Sequence, residues 1–157
     1  MMEMRILAVS DSHGNNRPIM KAIDMLKPDA VFFLGDGIKQ VELLDDMYEI
    51  PFYTVKGNCD FGNYPTEQLI CLEDKTFFIT HGHNYYVKSG LYDITEKGRE
   101  VVADVVLFGH THTAYNHYED GMYVMNPGSC AFPNNGKPSC GYIDIVGGSV
   151  VTNIVWL

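Results

Sequence analysis

Apolar residues occur along the chain in two patterns, short continuous runs and runs with helical spacing. Continuous runs predict β-strands, and those at 30–34 and 105–108 are typical of strands buried on both faces. The strands predicted before residue 110 are 4–9, 30–34, 52–55, 68–72, 76–80 and 105–108. Helical spacing of apolar residues predicts a helix at 18–26, and further helices are predicted at 38–47 and 91–102.

The last third of the chain is predicted to be mostly β-structure, with strands at residues 114–118, 122–125, 141–145 and 150–156. Gly147 and Gly148 indicate a tight hairpin between the last two strands. Strands that first alternate with helices and then follow one another predict an α/β fold, an α+β sandwich of two packed mixed β-sheets flanked by helices. A length of 157 residues with 46% hydrophobic content fits a single domain spanning 1–157.

Charge and cysteine content restrict the function further. A formal net charge of -9 at pH 7 argues against a nucleic-acid polymer as the partner, because Lys and Arg drive such binding. The apolar runs are too short to span a membrane or to form a signal peptide, so we expect a soluble, cytoplasmic protein without a membrane partner. The four cysteines form no CxxC pair, which indicates reduced thiols instead of a zinc knuckle or a disulfide framework.

Five of the predicted strands end in glycine-containing loops that carry Asp, Asn or His. Because ligands of α/β sheets bind outside the carboxyl ends of strands, we expect these loops to converge on one site. The candidate metal ligands are Asp11, His13, Asp36, Asn58, His81, His110 and His112. A mixed set of oxygen and imidazole donors suits Mn, Fe, Zn or Ni better than Mg or Ca alone.

The spacing of the candidate ligands bears on how many ions they can hold. Asp11 and His13 lie two residues apart, as do His110 and His112, and in extended backbone such pairs face the same side. Seven ligands exceed the needs of one tetrahedral ion but can hold two ions if a carboxylate bridges them. Each motif alone has a plainer explanation as a helix cap or a turn. Their ordered occurrence after predicted strands favours the metal site.

Five motifs in order along the chain carry a family resemblance: Asp11-Ser12-His13, Gly35-Asp36, Gly57-Asn58, His81-Gly82 and Gly109-His110-Thr111-His112. This series resembles that of the calcineurin-like metallophosphoesterases and extends over residues 11–112. The later run Asn126-Pro127-Gly128-Ser129, which we interpret as a structural turn, is similar to one in the small prokaryotic branch of that family.

The resemblance implies a role for each candidate residue. It implies one metal held by Asp11, His13 and His112, and a second held by Asn58, His81 and His110, with Asp36 bridging both. Where the family often has a His that assists the leaving group, this chain has Cys59, as members of the small branch do. Asp36, Asn58 and His83 are the candidate catalytic residues. His83 would contact phosphate or the leaving group, and the alternative is that it orients its neighbour.

We therefore expect a phosphodiesterase that hydrolyses small phosphodiesters through a hydroxide activated by two divalent ions. Mn is the favoured metal, with Fe, Ni or Zn as alternatives. A non-catalytic metal-binding scaffold or protein-interaction module is a second hypothesis, because one eukaryotic protein-sorting subunit resembles this fold. A one-metal hydrolase is a third, and a nuclease is disfavoured by the charge. The apolar hairpin at 142–156 could support a homo-oligomer.

Overall fold

The computed structural model describes residues 3–134 and 136–157, and within these ranges it contains ten β-strands and three α-helices. The strands are β1 (Glu3–Val9), β2 (Ala30–Phe33), β3 (Phe52–Thr54), β4 (Glu67–Leu72), β5 (Lys75–Thr80), β6 (Val105–Leu107), β7 (Tyr115–Glu119), β8 (Met122–Asn126), β9 (Ser139–Val146) and β10 (Ser149–Trp156). The helices are α1 (Arg17–Leu26), α2 (Ile38–Asp45) and α3 (Tyr92–Glu100). Residues 1, 2 and 135 of the predicted single domain lie outside the described part.

The strands form two five-stranded mixed sheets, as the sequence predicts. The first sheet has the order β10-β9-β1-β2-β3, and its strands β1, β2 and β3 are parallel. The second has the order β4-β5-β6-β8-β7, and its strands β5, β6 and β8 are parallel. The predicted elements are all present, with ends that differ by one or two residues. Two short 3₁₀ helices, His83–Tyr85 and Val87–Ser89, were not predicted.

Side chains alternate between the two faces of each strand, and this alternation explains how the sheets and helices form layers. Ile6 and Ala8 of β1 pack between the sheets, against residues such as Phe77 of the second sheet. Leu7 and Val9 point to the opposite face, where α1 and α2 cover the first sheet. Because successive side chains of a strand alternate between faces, β1 and β2 need apolar residues throughout, which accounts for their continuous apolar runs. The helix α3 covers the outer face of the second sheet in the same way.

The packing of the sheets brings the carboxyl ends of their parallel strands together. The backbone N–H of Asp11 donates to the carbonyl of Gly35 at 3.0 Å, which joins the loops after β1 and β2. The N–H of Gly109 donates to the carbonyl of His81 at 2.9 Å, which joins the loops after β5 and β6. The N–H of Cys130 donates to the carbonyl of Ser10 at 3.2 Å and connects the two sheets. The loops with candidate ligands therefore meet at one edge.

None of the helices in residues 3–134 and 136–157 combines the length and apolar character needed to cross a bilayer.

We expect Phe32→Ala to lower the free energy of unfolding by about 3–5 kcal/mol, because it opens a cavity where the two sheets meet. The Phe32 ring is fully buried and lies edge-on to Phe77 of the other sheet, with centroids 5.3 Å apart. Urea denaturation would measure the change. Leu69→Ala, at a side chain that is 56% exposed, is the control and should cost less than about 1 kcal/mol. Equal losses in the two variants would contradict this account of the core.

Candidate metal centre

Most candidate ligands lie in sharp turns where the parallel strands end. Asp11 and His13 have φ values of 56° and 46°, and His110 and His112 have values of 71° and 58°. Positive φ is uncommon for residues other than glycine, and such strained residues cluster at functional sites. The assumption that each pair lies in extended backbone is therefore wrong. The pairs converge because of the turns, and Nε2 of His13 lies 3.3 Å from Nε2 of His112.

The Asp11 carboxylate is fully buried, and its two oxygens have different partners. Oδ2 accepts hydrogen bonds from the Ser10 hydroxyl at 2.7 Å and from the backbone N–H of His110 at 2.9 Å. Oδ1 lies 2.9 Å from Nε2 of His81 and 3.5 Å from Nε2 of His112. Burial raises the pKa of Asp11, but contacts with His112 and His81 lower it by more, so the net pKa is below its ordinary value. The group is therefore an ionised carboxylate near neutral pH.

Asp36 is held in a similar way on the neighbouring loop, and its side chain is only 3% exposed. Its Oδ1 accepts a hydrogen bond from the backbone N–H of Cys59 at 2.9 Å. Its Oδ2 lies 3.3 Å from Nε2 of His81 and 3.8 Å from Nε2 of His13. Burial raises the pKa of Asp36, but His81 lowers it by more. Oδ1 is therefore held by a backbone hydrogen bond, and Oδ2 faces two candidate ligands, His81 and His13.

His81 lies between the two carboxylates and is fully buried. Burial lowers the pKa of its imidazole, but Asp11 and Asp36 raise it by more, to about 9. The direction of this change shows that the paired carboxylates create a negative potential in a buried space. A cation is the charge that such a potential stabilises.

Among the described residues, the candidate donor atoms form three groups, each with its atoms within 4.8 Å of one another. The groups are Asp11 with His13 and His112, Asp36 with His81 and His110, and His13 with Asp36 and Cys59. The first group has the three residues that the family resemblance implies for one metal. The second has two of the three implied for the other metal, His81 and His110, together with Asp36. Asp36 also belongs to the third, which lies between them. Asn58 is exposed in the same loop as Cys59. The ligand roles themselves stay predictions.

His83 contacts a candidate ligand from outside the carboxylate pair. Its Nδ1 lies 3.0 Å from Nδ1 of His81, whose Nε2 faces the carboxylates. This contact places His83 to orient the His81 ring, in the manner of residues that support metal ligands. Burial and then the charge of His81 lower the pKa of His83, and the same two causes lower the pKa of His110 to about 4. The catalytic role of His83 stays a prediction.

Asp60 is a supporting residue that the sequence analysis missed. Its Oδ1 accepts hydrogen bonds from the backbone N–H groups of Gly37 at 2.8 Å and Ile38 at 3.1 Å. Its Oδ2 accepts from the N–H groups of Asp36 at 2.7 Å and Gly57 at 2.8 Å. One carboxylate thus ties the loop after β2 to the loop after β3. Three of its four partners are distant in sequence, so only its position beside Asn58-Cys59 could have indicated it.

The turn after β8 supports the loops from the other side. The side-chain amide of Asn126 donates to the carbonyl of Gly109 at 3.0 Å and to the hydroxyl of Thr111 at 2.9 Å. The Ser129 hydroxyl donates to the carbonyl of Asp11 at 2.8 Å. Both side chains are fully buried. The turn is structural, as we interpreted it, and it holds the two loops that carry the paired ligands.

Two glycines allow backbone to approach the carboxylates closely. A Cβ atom on Gly57 would lie 2.0 Å from Oδ1 of Asp36. A Cβ atom on Gly109 would lie 2.0 Å from Oγ of Ser10 and 2.7 Å from Oδ2 of Asp11. Any side chain at these two positions would displace a buried group, so the sequence requires glycine there.

The donor chemistry fits divalent transition metals. Two ionised carboxylates and several imidazoles form a mixed oxygen and nitrogen set, which Mn, Fe, Ni and Zn accept. The lowered pKa of His110 leaves its imidazole neutral near pH 7, the form in which a ring nitrogen can bind a metal, whereas the raised pKa of His81 means that a metal would have to displace a proton there. The geometry and the charge of these residues agree with a metal centre.

Several known proteins are similar to this chain in sequence or in fold. The sequence-family model of the calcineurin-like phosphoesterase superfamily domain matches residues 4–148. Phosphodiesterase MJ0936 of Methanocaldococcus jannaschii is 40% identical over 171 aligned positions, covering 90% of this chain and 93% of that protein. The crystal structure of a predicted phosphoesterase from Streptococcus pneumoniae has a TM-score of 0.85 and 26% identity, over 99% of this chain and 91% of that one. Vps29 of Entamoeba histolytica, solved with Zn²⁺, is similar in fold alone, with a TM-score of 0.75 and 21% identity over 98% and 99% of the chains.

We expect Asp60→Asn to lower metal affinity about 10- to 100-fold, the range found when supporting residues of metal sites are changed. Either orientation of the amide would point its NH₂ at two backbone N–H donors, so the loop carrying Asp36 would shift. Titration with Mn²⁺ by calorimetry would measure the affinity, and circular dichroism would confirm the fold.

Asp29→Asn is the matched control for that variant. Asp29 also accepts a backbone hydrogen bond, from Arg5 at 2.8 Å, but it lies outside the donor groups. This variant should bind Mn²⁺ with unchanged affinity. A folded Asp60→Asn protein that binds metal as tightly as the wild type would show that Asp60 does not position the ligands.

Proposed function

The chain belongs to the calcineurin-like phosphoesterase superfamily, and from that premise we propose that it is a phosphodiesterase with two divalent metal ions, which hydrolyses small phosphodiesters. One observation carries the proposal. Asp11 and Asp36 each have one carboxylate oxygen that accepts a backbone N–H and another that faces the imidazole of His81. Such an arrangement holds the negative charges in fixed positions before any ligand arrives, which reduces the cost of reorganisation.

We infer that one ion is held by Asp11, His13 and His112, a second by Asn58, His81 and His110, and both by Asp36. When bound, a pair of divalent ions supplies Lewis acidity, orients phosphate oxygens and makes hydroxide available near neutral pH. The mixed oxygen and nitrogen donors suit Mn, Fe, Ni and Zn, and of these we propose Mn as the favoured metal, with Fe, Ni or Zn as alternatives. The backbone-bound oxygens of Asp11 and Asp36 fix the carboxylate planes.

Cys59 and His83 define what the chain itself can do for the leaving group. Burial and then Asp36 raise the pKa of the Cys59 thiol, so this group is neutral near pH 7 and is a poor proton donor. His83 is engaged with His81, and we propose that it orients that ring. Protonation of the leaving group then falls to water. Esters with good leaving groups, which need little protonation, are the expected substrates.

The charge of the chain favours a small anionic substrate. Bound metal would make the site locally positive, although the chain has a net charge of -9. A polymeric nucleic acid would contact much more of the surface of a chain with this net negative charge, which repels phosphate. We therefore propose a small phosphate ester as substrate and a cytoplasmic setting. Self-association through the β9–β10 hairpin stays a prediction.

A non-catalytic scaffold is the second candidate function, and the similarity in fold to Vps29 favours it. Against it stands the donor set, because the buried imidazole of His81 lies 2.9 Å from a carboxylate oxygen of Asp11 and 3.3 Å from one of Asp36, both buried. A protein that worked only through its surface would not need two ionised carboxylates in its interior. Metal-dependent turnover separates the two functions.

We expect the Mn-loaded protein to release p-nitrophenolate from bis(p-nitrophenyl) phosphate, because this leaving group needs no protonation. It should act more slowly on p-nitrophenyl phosphate, a monoester with the same leaving group, because the proposed activity is that of a phosphodiesterase. Absorbance at neutral pH would follow the reaction. Removal of metal with EDTA should abolish turnover, and Mn should restore it. If protein loaded with Mn, Ni or Fe turns over neither ester, the scaffold function is favoured.

We expect Asp36→Asn to lower the binding of both ions, because the change removes the charge of the carboxylate that we propose serves both. The amide oxygen of the variant can still accept the hydrogen bond from Cys59, so the loop should stay in place. Elemental analysis after dialysis would count the ions per chain. Asp24→Asn on the exposed face of α1 is the control. Full occupancy of both sites in Asp36→Asn would exclude the bridging role.

A further inference from the structure

A second cleft opens next to the candidate metal centre. The inner cleft, of about 200 Å³, is lined by His13, Asp36, Gln40, Cys59 and Asp60 among others. The outer cleft, of about 270 Å³, is lined by Ile38, Lys39, Gln40, Cys59, Asp60 and Phe61. Gln40, Cys59 and Asp60 line both, so the two clefts share a wall. The two clefts are therefore adjacent, and the outer cleft lies beside any molecule bound in the inner one.

Phe61 is the residue of the outer cleft that calls for an explanation, since its side chain is 86% exposed. Single exposed apolar residues are common at protein surfaces, but Phe61 lines a cleft and is held in place on both sides. Before it, Asp60 accepts four backbone hydrogen bonds. After it, the carbonyl of Gly62 accepts a hydrogen bond from Nζ of Lys56 at 2.9 Å. The backbone on both sides of Phe61 is thus held beside the outer cleft.

An exposed aromatic ring on an anchored loop favours binding. A backbone that is already held loses little conformational entropy when a ligand packs against the loop. An aromatic ring also provides a flat apolar face, which prefers offset or edge-on contact with another ring. Lys39 adds a positive charge to the same cleft, which suits an anionic ligand in a chain that is otherwise acidic.

The chemistry of a diester matches the two clefts. A phosphodiester has a charged centre and two organic arms, whereas a monoester has one arm. With the phosphate in the inner cleft, near Asp36 and His13, one arm would lie beside Cys59 and reach the Phe61 ring. We propose that the outer cleft is a subsite for an aromatic ester arm of the substrate, with Phe61 as its specificity-determining residue; this inference rests on the proposed function.

Binding of two non-activated diesters to the Mn-loaded protein tests the subsite without requiring turnover. Diphenyl phosphate and dimethyl phosphate carry the same charge and differ in their arms, so calorimetry of each isolates the contribution of the ring. The wild-type protein should bind diphenyl phosphate more tightly. Phe61→Ala should weaken diphenyl phosphate about 3- to 10-fold, as expected for the loss of one aromatic contact, and should change dimethyl phosphate less than about twofold.

Two further variants complete the test. Phe61→Tyr keeps the ring and should retain the preference for diphenyl phosphate. Tyr92→Ala removes an aromatic side chain that is 74% exposed and does not line either cleft, so it should leave both affinities unchanged. Equal affinities of the wild type for the two diesters, or an equal loss for both in Phe61→Ala, would overturn the subsite.

The outcomes also distinguish the subsite from the proposed function. A protein that binds diphenyl phosphate through Phe61 but hydrolyses no aryl diester would contradict the phosphodiesterase and leave the subsite intact. A protein that hydrolyses aryl diesters with the same KM in Phe61→Ala as in the wild type would confirm the enzyme and exclude the subsite.

Discussion

Two ionised carboxylates lie close together inside this protein, and an interior holds such a pair only if donors or positive charge offset their repulsion and lost hydration. The chain meets this condition with its own backbone and with one imidazole. Asp11 and Asp36 each accept a backbone N–H on one oxygen, and His81 faces the other oxygen of both. The need to stabilise two buried carboxylates also accounts for the turns that supply those N–H groups and for the side chains that hold the turns.

The centre also depends on how the two sheets pack, because its residues come from both. Asp11 and Asp36 follow strands of the first sheet, whereas His81, His110 and His112 follow strands of the second. The apolar layer between the sheets, in which Phe32 contacts Phe77, sets the distance between these two groups of loops. The hydrogen bond from Ser129 to the carbonyl of Asp11 links them directly. The packing of the core therefore also determines the geometry of the site.

Much of this could be predicted from the sequence, for identifiable reasons. Buried strands such as 30–34 and 105–108 have continuous apolar runs, and a polar residue directly after such a run must lie at the edge of a sheet. The backbone conformation could not be predicted in the same way. Asp11 and His13 adopt positive φ because of bonds to distant loops, such as that from the N–H of His13 to the carbonyl of Asp36 at 2.8 Å.

The support that Asp60 and Asn126 give to the ligand loops was missed for a related reason. Asp60 and Asn126 carry ordinary polar side chains, and their importance comes from backbone groups that approach them only in the folded chain. The Asn126 turn could be interpreted as structural from its Pro and Gly, but its hydrogen bonds to the site could not. Local pattern identifies groups that can do chemistry, whereas the groups that hold them depend on tertiary contacts.

The close approach of Gly57 and Gly109 to the carboxylates divides the site into parts with different tolerance to sequence change. At these glycines even a methyl group would lie 2.0 Å from a neighbouring oxygen, so mutation there disrupts the centre before it can modify it. Phe61 and Lys39 are exposed to solvent, so we expect that their side chains can be exchanged while the candidate ligands stay in place. Divergence of substrate preference in proteins built this way should therefore accumulate at the rim, while the inner loops stay almost unchanged over long evolutionary times.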